Sequence, residues 1–305
     1  MKTAKLVALA CFLFAWTATP VSAANAAPME ASGIVLGNDV SWPQCGGGLP
    51  GGQAFGIVGV NGGRPDNANP CLAEQLQWAA SSVGGTSQPP AALYVNTANP
   101  AESGSAWWPA SNVVGGADVP NPYGICDGSA AAACAYIYGY VMAFNDMNYS
   151  GVSDPAKRLW WLDVETGNAW SSDQVANEAD LEGMTAYLQS IGAQVGIYST
   201  SYQFGIIAGQ LLAGSRLNGL KSWLAGATSP ESAVELCSAP PLTAGGVVAL
   251  TQFTTDFDYN YSCIPPAPPP PPPPAPVVAP PKPPVPTLTT DVNGKRKPLR
   301  LQPQG

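Results

Sequence analysis

The sequence contains no histidine. That excludes a Ser-His-Asp or Cys-His nucleophilic triad and the zinc sites that depend on imidazole. Hydrolytic chemistry in this chain therefore has to run on carboxylates. No Cys-x-x-Cys spacing occurs, which removes the usual thiolate metal site, and neither a metal nor a cofactor is expected. Charge is scarce as well: Asp, Glu, Lys and Arg make up 10% of the residues, so a charged side chain inside an apolar run asks for a reason. Basic residues are rarest where a folded domain is expected. Residues 27–264 carry 5 basic and 19 acidic side chains, a balance of −14, against +4 after residue 264 and +2 before residue 27. Such an acidic domain argues against nucleic acid as a partner, because the phosphate backbone is bound mainly through Lys and Arg.

A membrane-spanning run is also missing. The apolar stretch Leu6 to Ala18 is well short of the roughly 20 residues a spanning helix needs. Lys2 and Lys5 precede it, and small residues follow at Val21-Ser22-Ala23 and Ala24-Asn25-Ala26. A charged start, a short apolar core and an Ala-x-Ala-like site describe a secretory signal peptide over residues 1–26, cut near Ala23 or Ala26. No stable membrane span is expected after cleavage. Residues 265–286 are almost entirely Pro, Ala and Val, a composition that favours extended polyproline II and reads as a semi-rigid linker. Residues 287–305 form a basic polar tail with Lys295, Arg296, Lys297 and Arg300. The span 27–264 is left for one domain, a size typical of an α/β barrel, and a monomer is expected.

Cysteine usage supports export. Without Cys11, in the signal, six remain: Cys45, Cys71, Cys126, Cys134, Cys237 and Cys263. An even number in a secreted chain reads as disulfides, and six allow fifteen pairings among which sequence does not choose. Nearest-neighbour pairing (45–71, 126–134, 237–263) is the expectation, since each bond would staple a loop beside a predicted element.

Short apolar runs alternate with helical patterns, the signature of parallel α/β architecture. The predicted strands are 33–39, 54–60, 91–95, 158–165, 194–199, 222–225 and 247–253. Asn69, with Pro70 in the first turn, predicts a helix whose apolar face runs Leu72, Leu76, Ala79, Ala80 and Val83. Ser172 or Asp173 caps another, with Leu181, Met184, Leu188 and Ile191 on one face and Gly192 ending it. Residues 129–145 read as the helix before the fourth strand. Seven strands are visible, so an eighth is short or the barrel irregular. The Gly-rich stretch 46–52 is a flexible loop, lacking the Gly-Lys-Ser/Thr ending and following helix of a phosphate loop.

The run Trp160-Trp161-Leu162-Asp163-Val164-Glu165 holds the central clue. Residues i and i+2 of a strand project to the same side, about 6.6 Å apart, so Asp163 and Glu165 project together. They fall at a strand's carboxyl end, where parallel barrels carry their sites. Asp39 ends the first strand; Asp258, with Asp256 two residues earlier, follows the last. Acids from three strand ends converging on one cleft suit glycoside hydrolysis, which needs one protonated carboxyl and one carboxylate. The structural alternative is that they cap helices or pair with the few Arg and Lys.

The order of DVSWPQC, WLDVE, VGIYS, SWLAGA and LTQFTTDFDYN along residues 33–263 resembles glycoside hydrolase family 25, the lysozymes that cut peptidoglycan. It is closer still to the secreted glycoside-hydrolase-like proteins of actinobacteria that carry the SWPQC string. The resemblance implies an irregular TIM-type (β/α) barrel of five β/α units followed by strands. It implies Glu165 as general acid, Asp163 as charge stabiliser or nucleophile, and Asp39 and Asp258 as cleft-shaping acids, Asp258 with Asn260. The chain departs from the family at Gly59-Val60-Asn61-Gly62-Gly63, where a Lys-Ala-Thr-Glu-Gly-like end is common, at Tyr94-Val95-Asn96, where Tyr-His-Phe is common, and at Trp42-Pro43-Gln44-Cys45. These changes reshape the sugar subsites.

Candidate substrate contacts are Trp42, Asn96, Trp107, Trp108, Tyr198, Trp223, Gln252 and Asn260, with Trp170 and Tyr259 also near predicted strand ends. Trp107 and Trp108 lie in the long loop 97–125, either as sugar platforms or as plugs of the barrel mouth. Trp160 and Trp161 cannot both face one side, so at least one is core. The expected function is a secreted or envelope-associated glycosidase whose partner is an envelope polysaccharide, peptidoglycan or a related glycan. The alternative is a barrel that binds envelope glycan without cutting it. A cleft filled by Trp107 or Trp108 would favour the binder.

Overall fold

The computed structural model describes residues 33–101 and 107–266. The expected signal peptide, the basic tail and nearly all of the Pro-rich linker lie outside the described residues. In chain order come β1 (Leu36–Val40), β2 (Gly56–Gly59), α1 (Leu72–Ala80) and β3 (Ala91–Asn96). A two-stranded hairpin follows, β4 (Val113–Val114) and β5 (Ala117–Asp118), inside the segment expected to be loop. Then come α2 (Ala132–Tyr149), β6 (Leu159–Asp163), α3 (Gln174–Ser190), β7 (Gln194–Ser199) and α4 (Ser201–Ile207). The last elements are β8 (Lys221–Ala227), α5 (Pro230–Leu236), β9 (Val248–Thr254) and β10 (Asp258–Ser262). Among the described residues, no helix is long and apolar enough to cross a membrane.

Eight strands close a barrel in the order β1-β10-β9-β8-β7-β6-β3-β2. Seven run parallel; β10 is antiparallel to both β9 and β1. This is the eighth strand that apolar runs do not reveal, and it corrects the placing of Asp258. That residue is the first of β10 and not part of a loop beyond the last strand. Because β10 runs backwards, its amino end shares the barrel mouth with the carboxyl ends of the other seven. Asp39 and Asp258 are direct cross-strand partners.

Parallel strands are buried on both faces, which is why they read as continuous apolar runs. In β6, Trp160 and Leu162 pack outward against Met142, Leu181, Met184 and Leu188 of the helices, while Leu159 and Trp161 fill the barrel with Phe55, Ile57, Ala92, Trp223 and Leu250. Both tryptophans are therefore core, on opposite faces, and burying each such side chain contributes about 1.5–3 kcal/mol. Trp161 meets Trp223 at 5.7 Å and Tyr198 meets Trp223 at 4.4 Å, an aromatic floor under the mouth. A Cβ on Gly196 would collide with the Trp161 ring, so β7 carries glycine there. Glycines also let α2 and α3 touch backbone to backbone. A Cβ on Gly139 would strike the Asp180 carbonyl, and one on Gly183 the Tyr136 carbonyl.

Helix α3 begins as its sequence says, with the Asp173 carboxylate accepting from the Val175 and Ala176 amides. Helix α1 starts later than its signals. Asn69 accepts from the Cys71 amide at 3.0 Å and donates to the Gly59 carbonyl at 2.7 Å, fixing the turn before the helix and leaving Pro70 outside it. Cys45–Cys71, Cys126–Cys134 and Cys237–Cys263 are disulfide-bonded, the nearest-neighbour pattern.

Candidate functional site

At the mouth lies a cavity of about 190 Å3, lined by Asp39, Tyr94, Asp163, Glu165, Tyr198, Trp223, Gln252, Thr254 and Asp258. Four carboxyl groups meet there without a Lys or Arg in the lining. The ion pairs among the described residues lie elsewhere, Arg64–Asp66 and Lys157–Asp154, both exposed. The acids are thus neither helix caps nor halves of salt bridges, and burial and mutual repulsion act on them unopposed by any cation.

Asp39, next to last in β1, accepts from the Asn260 amide at 2.7 Å and the Gln252 amide at 2.9 Å, both on Oδ1. Gln252 is oriented for this by Tyr198, whose hydroxyl donates to its amide oxygen at 2.7 Å and leaves the NH2 for Asp39. Burial, and then the charge of Asp258, still push the Asp39 carboxyl up to about 7. Asp163 ends β6 and is buried as fully as Asp39. Burial first, then Glu165 and Asp39, hold it well above the usual carboxylate range, and its Oδ1 has no hydrogen-bond partner. Two interacting carboxyls in one site share protons as a pair.

Glu165 lies two residues past the end of β6, in the turn and not in the strand as expected. It still reaches the cavity, for two reasons. The Trp170 indole donates to the Glu165 carbonyl at 2.8 Å, bracing the turn. Gln203, at the start of α4, accepts from the Thr166 amide at 2.7 Å and its hydroxyl at 2.8 Å, and gives its own amide to the Glu165 carboxyl. Burial raises the Glu165 pKa; the Gln203 bond offsets part of that rise, and Asp258 adds to it. Asp258 accepts from the Thr254 hydroxyl at 2.7 Å. The Tyr94 phenol is held far above its ordinary pKa by burial and then by Asp39 and Asp163, so it remains a hydrogen-bond donor.

Of the sequence candidates, the fold gathers Asp39, Asp163, Glu165, Asp258, Tyr198, Trp223 and Gln252 around one cavity, with Asn260 buried directly behind Asp39. Four others are not brought there. Trp42 is half exposed in the short turn after β1. Asn96 is locked to Asn61, whose amide oxygen accepts from the Asn96 main-chain N–H at 2.9 Å and side chain at 3.1 Å. The Trp108 indole donates to the Ser129 carbonyl at 3.1 Å and lies 5.2 Å from the Tyr138 ring. Trp107 faces a different cavity. Asp256 is on the exposed hairpin tip, bonded to Thr255 and Tyr259, and Tyr259 stacks on Phe253.

Sequence reasoning missed Tyr94, Thr254 and Gln203. Tyr94 had a signal, since it shares the face of Asn96 by the two-residue period. Gln203 had a misleading one. Thr200-x-x-Gln203 reads as a capping box, in which the glutamine would reach back to its own helix; Thr200 does accept from the Gln203 amide at 3.0 Å, but the side chain goes to Thr166 instead.

Residues 143–229 match the family described as Lysozyme-like protein 1. The resemblance is to lysozymes. A 69-residue stretch is 46% identical to a probable GH family 25 lysozyme 4 of Dictyostelium discoideum, covering 23% of this chain and 32% of that protein. The match thus spans about a third of the relative's length. The fold also aligns with a muramidase from Trichobolus zukalii, at TM-score 0.49 and 17% identity over 75% of this chain and 93% of that one. A bacterial lysozyme from Streptomyces coelicolor aligns at TM-score 0.46 and 16% identity, over 76% and 93%. The lysozyme-like segment 143–229 contains Asp163, Glu165, Tyr198, Gln203 and Trp223; Asp39, Gln252, Asp258 and Asn260 lie outside it.

Proposed function

We propose that the protein is a secreted glycoside hydrolase that cuts a bacterial envelope glycan, peptidoglycan at the muramic acid bond, by carboxylate acid and base catalysis. The observation that carries this reading is the convergence of Asp39, Asp163, Glu165 and Asp258 on one polar cavity with no cation in its lining. The lysozyme-like match over residues 143–229, which holds Asp163 and Glu165, supports it.

With burial alone acting, the deeper Asp163 holds the shared proton. The pair shares its proton, and the reacting form has Asp163 ionised and the proton on the more exposed Glu165. Glu165 gives that proton to the glycosidic oxygen as the bond to the anomeric carbon breaks, and Asp163 balances the oxocarbenium-like charge. Water adds to the anomeric carbon and returns a proton to Glu165. Asp39, fixed by Asn260 and Gln252, adds to the burial and the Glu165 charge that raise Asp163. At about 190 Å3 the cavity is below the roughly 300–1,000 Å3 of ordinary ligand pockets. The polymer therefore lies across the mouth and dips its reacting unit in. Neither Trp107 nor Trp108 lines the cavity, which favours cutting over binding alone.

The wider reading keeps residues 1–26 as a cleaved signal, 27–264 as the hydrolase domain, 265–286 as a linker and 287–305 as a tail, in a monomer at the cell envelope. Three disulfides suit an exported protein, and the Ser41–Cys45 string supports the resemblance to secreted actinobacterial glycoside-hydrolase-like proteins. The test is release of reducing ends from purified peptidoglycan. Glu165→Gln should lower the rate about a hundredfold to ten-thousandfold while the protein stays folded. If neither protein cuts yet both sediment with the glycan, the cavity is a binding site.

A further inference from the structure

Glu165 hangs on a turn, two residues past the end of its strand, so something other than the sheet has to hold it. Two supports do: the Trp170 indole on its carbonyl at 2.8 Å, and the Gln203 side chain on its carboxyl. Both lead back to Asn177, near the start of α3. Asn177 is 1% exposed and makes four side-chain hydrogen bonds, none of them to its own helix. Its amide donates to the carbonyls of Ser171 and Ile207, each at 2.9 Å. Its oxygen accepts from the Ser171 N–H at 3.1 Å and from the Asn99 amide at 3.0 Å. The opposite orientation of the amide would set its oxygen against two carbonyls, so this one is fixed. Asparagine is a poor helix former, and burying an amide is costly unless it is bonded. This one stands inside a helix, fully bonded to chain outside it.

These bonds close on both sides of Trp170. On one side the Asn99 main-chain N–H, in the loop after β3, donates to the Ala169 carbonyl at 2.9 Å. On the other, Asn177 holds both main-chain groups of Ser171. The tryptophan between them is pinned at each flank, and its indole N–H is aimed at Glu165. Ile207 is the last residue of α4, the helix that carries Gln203, so the same amide ties down the second support. We propose that Asn177 is a positioning residue for Glu165: it touches no reacting atom and fixes the acid's turn through Trp170. Its catalytic consequence rests on Glu165 being the acid of the proposed hydrolysis; the clamp itself does not depend on cleavage. Helix α4 has a further anchor, since the Gln174 amide donates to the Gly205 and Ile206 carbonyls at 3.1 and 2.9 Å. Replacing Asn177 therefore frees the Trp170 side while α4 stays docked.

The test measures peptidoglycan cleavage by the full chain, by Asn177→Ala, by Trp170→Phe and by the double variant. Each single change should lower kcat about tenfold to a hundredfold with KM kept, the scale of a misplacement of up to about 1 Å. The double variant should be no slower than the slower single one, because the second change breaks a link already broken. Losses that multiply overturn the proposal. So does a rise in KM with kcat kept, which would put both side chains on the substrate in the open cavity they line. Trp170→Phe keeps the ring in place, and an unchanged kcat there is by itself fatal, whatever becomes of Asn177→Ala. Proton exchange at the indole N–H groups, followed by NMR and assigned through Trp170→Phe, separates the clamp from general loosening. The reference is Trp160, whose indole donates to the Pro155 carbonyl at 3.0 Å. In Asn177→Ala the Trp170 proton should exchange faster while that of Trp160 keeps its rate; equal acceleration of both refutes the clamp. If the parent cuts nothing, the hydrolase reading falls and exchange alone decides: a faster Trp170 proton upholds the clamp, and an unchanged one sinks it.

Discussion

Replacing Asp39 by Asn should make the protein more stable at neutral pH and flatten its dependence on pH. The native structure raises the Asp39 carboxyl from 3.8 to about 7, so between those values the folded state holds a proton that the unfolded chain releases. Stability from this group is fully present below pH 3.8 and is lost as pH rises through about 7. The rise of about three pH units corresponds to about 4 kcal/mol. Asp163 and Glu165 are raised too, so the slope measured belongs to the cluster as a whole. Asp127 and Asp256 are lowered and act in the opposite sense, losing their contribution only as pH falls below the ordinary carboxylate range. Asp39→Asn keeps an amide oxygen for the bonds from Asn260 and Gln252 and removes the charge that repels Asp163. Urea unfolding at single pH steps from 4 to 8 is the assay. The parent's unfolding free energy should fall steadily over that range, and the variant's should fall less, gaining up to about 4 kcal/mol near pH 8. A parent curve that is flat or climbs from pH 4 to 7 would refute the reasoning, as would a variant with an unaltered slope.

Gln203→Ala removes the bond that holds the Glu165 pKa down, so the basic limb of the pH–rate profile for glycan cleavage should move to higher pH. Gly139→Ala drives a methyl into the Asp180 carbonyl at the α2–α3 contact and should cost about 1–3 kcal/mol or more, seen as a lower Tm. Paired Cys237→Ser and Cys263→Ser changes open a link of 26 residues and should destabilise by about 3–4 kcal/mol in chemical denaturation.

The parts of the fold that announce themselves in sequence are those whose faces are uniformly apolar. The run Leu159–Leu162 is buried on both sides and reads at once as a barrel strand. The same logic hides β10, whose Asp258, Asn260 and Ser262 alternate with tyrosines because this strand builds the polar side of the mouth. The acids were legible through strand alternation and resemblance. Gln203 was not, because its partner Thr166 is 37 residues away on another element and no local period links them. Trp107 and Trp108 were correctly placed on one loop, yet adjacent residues of a loop need not share a surface. Here one ring turns inward to Ser129 and Tyr138 while the other stands over a separate cavity.

The pairing of β1 with β10 also constrains how the molecule comes into being. Asp39 meets Asn260 across 221 residues of chain, one of the longest loop closures this domain contains, and long-range pairings form late. Until β10 arrives, β1 and β9 present open edges, and open edges invite pairing between chains. The Asp39 carboxyl meanwhile lacks the amide of Asn260 that helps to position it. A chain cut short before residue 258 can build most of the helices and seven of the strands and still have no assembled cleft. Closure of the barrel by β10 and completion of the acid cluster are therefore one event.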